Sequence, residues 1–208
     1  MDSISKINSE VSVCTDCQLS HQRNVAVPGE GPEIADVMFV GEAPGVNEDK
    51  LGRPFVGAAG NFLDQLLMSA NLDRADIYIT NTVKCRPPNN RDPLPEERSS
   101  CRKYLERQID LVKPKVVVSL GRHSLASFVP GETIGKSRGK ARFMGPFTLF
   151  PMYHPAAALH QPNLRQVIVE DFEKLSLLLK DLHSSSQSDV SDGSYNKKDT
   201  AGEQLSMF

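Results

Sequence analysis

Four short runs rich in β-branched and other apolar residues punctuate the chain, at positions 36–41, 76–81, 115–120 and 147–151. Between them apolar side chains recur at helical spacing, as in Phe62, Leu66 and Leu67, and in Leu105, Ile109 and Val112. This alternation of period-2 and period-3.6 segments predicts an α/β fold. The expected form is a three-layer α/β/α sandwich around a central four-stranded, mainly parallel sheet. A last helix over about residues 163–183, with Val167, Ile168, Phe172, Leu175 and Leu179 on its apolar face, should close the core.

In such sheets ligands bind beyond the carboxyl ends of the strands. The segments just past the four runs are residues 41–45, 81–85, 121–124 and 152–155, and they are expected to meet in one cleft. The connection at 41–60, GEAPGVNEDKLGRPFVGAAG, is long for a compact domain, and loops of that length usually have a function. Its five glycines and two prolines allow tight turns and close approach to a ligand, while Glu42, Glu48, Asp49 and Phe55 supply acids and an aromatic ring.

Composition changes the picture at the carboxyl end. Residues 1–183 read as one domain, whereas 184–203 are polar and Ser-rich and cannot bury enough surface to offset the entropy of ordering. That segment is expected to be a disordered linker. The formal net charge is −2, with acids and bases balanced through residue 183, so nucleic-acid binding would have to come from a local patch. Lys136, Arg138, Lys140 and Arg142 form one candidate patch for DNA phosphates. No apolar run reaches transmembrane length and the first residues lack a secretory apolar segment, so a cytoplasmic monomer without membrane contact is expected.

The four cysteines are Cys14 and Cys17, in a C-x2-C pair, with Cys85 and Cys101. In a cytoplasmic chain structural disulfides are disfavoured, and all four thiols can serve one metal site. Four thiolates accept zinc or an iron-sulfur cluster, and spacing alone does not choose between them. The segment GETIGKS at 131–137 approaches a phosphate-binding loop, but three residues separate its glycines where that motif needs four.

Taken together, the loop GEAPGVNEDKLGRPFVG, the segment ITNTVKCRPP at 79–88, the dipeptide His154-Pro155 and the cysteine pattern resemble family 4 uracil-DNA glycosylases. The resemblance covers roughly residues 10–180. It implies a monofunctional repair enzyme that flips uracil out of DNA and hydrolyses the N-glycosidic bond, leaving an abasic site. It also implies a [4Fe-4S] cluster in place of zinc on Cys14, Cys17, Cys85 and Cys101.

The resemblance further implies a substrate site built from Gly41, Glu42, Ala43, Gly45, Glu48, Phe55, Asn81 and His154. In it Phe55 stacks on the flipped base, the Asn81 amide pairs with the uracil edge, and Glu48 fills the space beside C5 to exclude a thymine methyl. His154 is expected to stabilise the departing uracil anion. Ala43 stands where other uracil glycosylases carry an aspartate. The nearest carboxylate, Glu42, is therefore the candidate base, with a base-independent dissociative reaction as the alternative. Ala158 and Leu159 are wedge candidates for the vacated base stack.

The final residues Gln204, Leu205, Ser206, Met207 and Phe208 resemble the bacterial sliding-clamp-binding pentapeptide, so the clamp is an expected partner. A different class of function, a non-catalytic metal-stabilised nucleic-acid adaptor holding a base in the same cleft, is the alternative.

Overall fold

The computed structural model describes residues 2–191, with side chains to residue 184. Each predicted apolar run overlaps a strand: β1 (Val37–Gly41), β2 (Tyr78–Asn81), β3 (Val116–Leu120) and, after a two-residue β4 (Arg142–Phe143), β5 (Thr148–Met152). The helices are α1 (Ile4–Val13), α2 (Val46–Leu51), α3 (Ala58–Ser69), α4 (Pro95–Val112), α5 (Gly121–Phe128), α6 (Ile134–Ser137), α7 (Pro155–His160) and α8 (Leu164–Ser191).

The sheet order is β2-β1-β3-β5-β4, with every pairing parallel except β4 against β5. The four expected parallel strands are present, and β4 makes five where four were expected. It comes from the basic stretch, where Arg142 and Phe143 pair with Leu149 and Thr148.

Period-2 alternation divides the core into two layers. Val37, Phe39, Ile79, Val118 and Phe150 meet Phe62, Leu66 and Leu67 of α3 and Ile168, Phe172 and Leu175 of α8. Met38, Val40, Tyr78, Val117 and Leu149 face the other way, onto Ile7 and Val11 of α1, Tyr104 and Leu105 of α4 and Leu125 of α5. Three layers follow directly from this two-sided burial.

Three sequence expectations change. The 41–60 connection is not one open loop, because α2 forms within it and α3 begins at Ala58. The β-rich run expected from residue 76 becomes strand only at Tyr78, because residues 74–76 are a short 3-10 turn in which the Asp73 carboxylate accepts from Ala75 N at 2.9 Å. Helix α8 runs past His183 to Ser191, as a helix already nucleated by core packing adds residues at little cost. The remaining linker and the clamp-like peptide with Gln204, Leu205, Met207 and Phe208 lie outside the described residues. Among the described residues, no helix is long and apolar enough to cross a membrane.

Candidate active site and cysteine cluster

Parallel pairing puts Gly41 and Asn81 side by side at the carboxyl ends of β1 and β2. The pairing continues past the strands: Thr82 N donates to Gly41 O at 3.0 Å, and Thr82 Oγ1 and Val83 N donate to Glu42 O at 2.7 and 3.2 Å. Asn81 is 2% exposed, and its Oδ1 is buried without a hydrogen-bond partner. An orphaned buried acceptor costs about 1–3 kcal/mol, which a ligand with a suitably placed N–H would recover. Gly41 is required here, because a Cβ would run into Asn81 Oδ1 and come within 2.9 Å of the Phe55 ring.

The Phe55 ring reaches this point from a strained backbone. Phe55 has φ +52°, in the left-handed region that costs a non-glycine residue about 1–2 kcal/mol. Three devices hold it there. Gly60 leaves no side chain to strike the Phe55 carbonyl. Glu48 accepts from Val56 N and Gly57 N at 2.9 Å through Oε1 and from Gly45 N at 3.1 Å through Oε2, drawing the loop closed around α2. Arg74 donates to the carbonyls of Pro54 (2.8 Å) and Phe55 (3.3 Å) while pairing with Glu30 and Asp64. The sequence carries no local sign of Arg74, whose partners lie up to 44 positions away.

His154 follows β5 and caps α7. Its ring stacks on Phe55 with centroids 5.4 Å apart and planes at 25°. Nδ1 accepts from Ala156 N at 3.1 Å. In the neutral ring the proton must then sit on Nε2, which leaves an N–H donor for a ligand. Burial, opposed by the Glu48 charge, holds the imidazole down to about 4, so it is neutral near pH 7. Glu42, just past Gly41, is instead pushed up to about 7, first by burial and then by the Asp92 charge, against Arg122 and Arg98. Ala43 packs beside the α4 and α5 layer, Ala158 packs against the α3 and α8 layer, and Leu159 is exposed.

The basic stretch disperses. Arg138 forms two 2.8 Å bonds to the buried carboxylate of Asp171 and donates to Val167 O at 2.9 Å, so it locks α8 and is not offered to a ligand. Arg142 pairs with Glu132, while Lys136 and Lys140 stay exposed.

All four cysteines are free thiols lining one small cavity with Val11, Lys84 and Tyr104. Burial pushes Cys101 up to about 11 and raises Cys85. A bound cation would offset that cost by stabilising the thiolate form. The surroundings fit thiolates: Arg23 Nη1 donates to Cys85 Sγ at 3.0 Å and Lys84 N to Cys101 Sγ at 3.3 Å. The set therefore fits a four-thiolate metal centre.

Lys84 is a second side chain that sequence reading missed. It is 1% exposed, yet Nζ is saturated by Thr80 Oγ1 (2.6 Å), Asn81 O (2.7 Å) and Gln108 Oε1 (2.7 Å). Five residues thus span from Asn81 to Cys85, and within them Lys84 donates through Nζ to Asn81 O and through its backbone N–H to Cys101 Sγ of the cluster.

Residues 28–182 match the family model for the uracil DNA glycosylase superfamily. The chain is 52% identical over 185 residues to a type-4 uracil-DNA glycosylase of Sulfurisphaera tokodaii, covering 84% of each protein. It is 45% identical over 188 residues to one of Archaeoglobus fulgidus, covering 86% of this chain and 94% of the relative. For one of Thermotoga maritima the identity is 43% over 179 residues, covering 84% and 93%. With Gly41, Phe55, Asn81 and His154 gathered at the strand ends and a match that spans both layers of the core, the chain belongs to the uracil DNA glycosylase superfamily.

Proposed function

We propose that this protein excises uracil from DNA by hydrolysing the N-glycosidic bond, leaving an abasic site for repair. The observation that carries this reading is the orphaned Oδ1 of Asn81, buried beside Gly41 and the Phe55 ring. Uracil offers an N3–H to that acceptor and an O4 to the amide N–H of the same side chain; cytosine offers the reverse and would leave both unpaired.

The base has to leave the stack to reach Asn81, so the nucleotide is flipped. Phe55 receives one face of it. Glu48, fixed by three backbone donors, presents a rigid wall of the kind that excluding a C5 methyl requires. As the bond to C1′ breaks, negative charge gathers on uracil, and the neutral His154 donates to it from Nε2 without first giving up a proton. A donor pre-aimed at developing charge is worth about 10²–10³ in rate. Leu159, exposed after His154, is the side chain suited to fill the vacated stack, and Lys136 and Lys140 are the basic-stretch cations open to phosphate.

Cys14, Cys17, Cys85 and Cys101 hold an iron-sulfur cluster of the [4Fe-4S] type in this reading. Its contribution when bound is structural, tying α1, the chain after β2 and α4 together. The experiment is direct: incubation with an oligonucleotide bearing one uracil, then alkaline cleavage, against matched cytosine and thymine substrates. Strand scission at uracil alone is expected; no scission at uracil overturns the reading.

A further inference from the structure

A second group of side chains lies where β1 and β3 adjoin, at the point where strand order reverses. Glu42, Asp92 and His123 bring their oxygen and nitrogen atoms within 4.8 Å of one another. His123 Nε2 is 3.0 Å from Asp92 Oδ2 and 4.0 Å from Glu42 Oε1. Arg122 contacts both partners, with Nη2 2.8 Å from Asp92 Oδ2 and Nε 2.8 Å from His123 Nε2. A guanidinium seated on Asp92, with Arg98 also close enough to act on Glu42, opposes a metal cation at this place.

The geometry is built. Arg91 makes a two-bond pair with the buried Glu97, at 2.6 and 2.9 Å, and donates to Asp92 O at 2.9 Å, fixing the Asp92 backbone. At the surface Arg122 and His123 both pair with its carboxylate, at 2.8 and 3.0 Å. The single Nε2 of His123 cannot donate to Asp92 and accept from Arg122 at once, so its proton position decides which neighbour it serves. The charged and titratable groups that face the Glu42 carboxylate are Asp92 from the 86–94 connection, Arg98 from α4, and Arg122 and His123 from α5.

We propose that Asp92, oriented by His123 and Arg122, is a positioning residue that sets the ionisation of Glu42 and thereby the pH range of uracil release. The proposal rests on Glu42 acting as the base. In that step the C1′–N1 pair leaves with uracil, the water oxygen bonds to C1′, and the water proton passes to the Glu42 carboxylate. Only the ionised carboxylate can take that proton. Burial and Asp92 keep it protonated up to about 7, whereas Arg122 and Arg98 favour its charge.

The test is single-turnover uracil release across pH, at low ionic strength, for the wild type, Glu42→Gln, Asp92→Asn and Arg122→Gln. Removing the Asp92 charge should move the acid limb down by about half a pH unit, and removing the Arg122 charge should move it up by a similar amount. A Glu42-dependent limb that stays in place in both variants overturns this proposal alone, as does a uniform loss of rate at every pH. A Glu42→Gln enzyme with the wild-type profile overturns the base role and the proposal with it. A wild type that releases no uracil overturns the functional reading instead.

Discussion

Gly41 and Asn81 are register partners across β1 and β2, and the space beside Gly41 is taken up by Asn81 Oδ1 and the Phe55 ring. Gly41→Ala should therefore displace Asn81 Oδ1 and the Phe55 ring without removing any functional group. Single-turnover release of uracil is expected to fall about 100-fold, the usual consequence of a misplacement near 1 Å. A rate near wild type would mean that the base does not sit against Gly41.

The Nδ1 contact to Ala156 N fixes His154 as an Nε2–H donor. His154→Ala should lower single-turnover release by about 10²–10³. Because its folded value is depressed to about 4 from 6.5, His154 contributes no acid limb near neutrality. The sign for stability follows: as pH falls from 6.5 toward 4 the unfolded chain takes up a proton that the folded chain refuses, so stability falls across that window. Urea denaturation of wild type and His154→Gln through this range should show a shallower decline in the variant.

Arg74 restrains the carbonyls of Pro54 and Phe55 from outside the loop. Arg74→Ala is expected to release a backbone whose left-handed Phe55 is unfavourable on its own, with KM for uracil-containing DNA raised about 10-fold. Lysine, a single point donor, should not restore it. Steady-state kinetics beside a thermal melt separate this from general unfolding; an unchanged KM would refute it.

If the cysteines bind iron, the purified protein should be brown and contain iron in proportion to protein. Cys101→Ser should lose the colour and melt several degrees lower, because α4 and the chain after β2 lose their common tie. Zinc in place of iron by elemental analysis would rule out the cluster while preserving the four-thiolate centre.

The clamp-like peptide gives a separable expectation. Deleting residues 204–208 should abolish retention on an immobilised bacterial sliding clamp while leaving uracil release at the wild-type rate. Equal retention of the truncated chain would dismiss that partner.

The layers of this fold were legible because strand and helix periods differ and both faces of the sheet are apolar, so Phe39 and Met38 each announce a layer. The strand-end rule placed Gly41, Asn81 and His154 together for the same reason: parallel strands share one carboxyl edge. Less legible was α2, a six-residue helix inside a glycine-rich stretch, although Glu48 three positions after Gly45 is a readable capping signal. Arg74, Lys84 and Arg138 could not be read, since their partners are set by tertiary packing. Arg138 is the clearest case, a cation in a basic run whose destination, Asp171, lies 33 positions on.

Helix α8 begins beside the pocket end of the molecule, after α7, and by His183 has reached Asp36, 2.7 Å away, at the opposite end of β1. The sheet thus has a working end and a mooring end. One strand thus carries the candidate site at its carboxyl end and the fastening of α8 at its amino end, so a change at His183 or Asp36 would loosen the helix without touching Gly41 or Asn81.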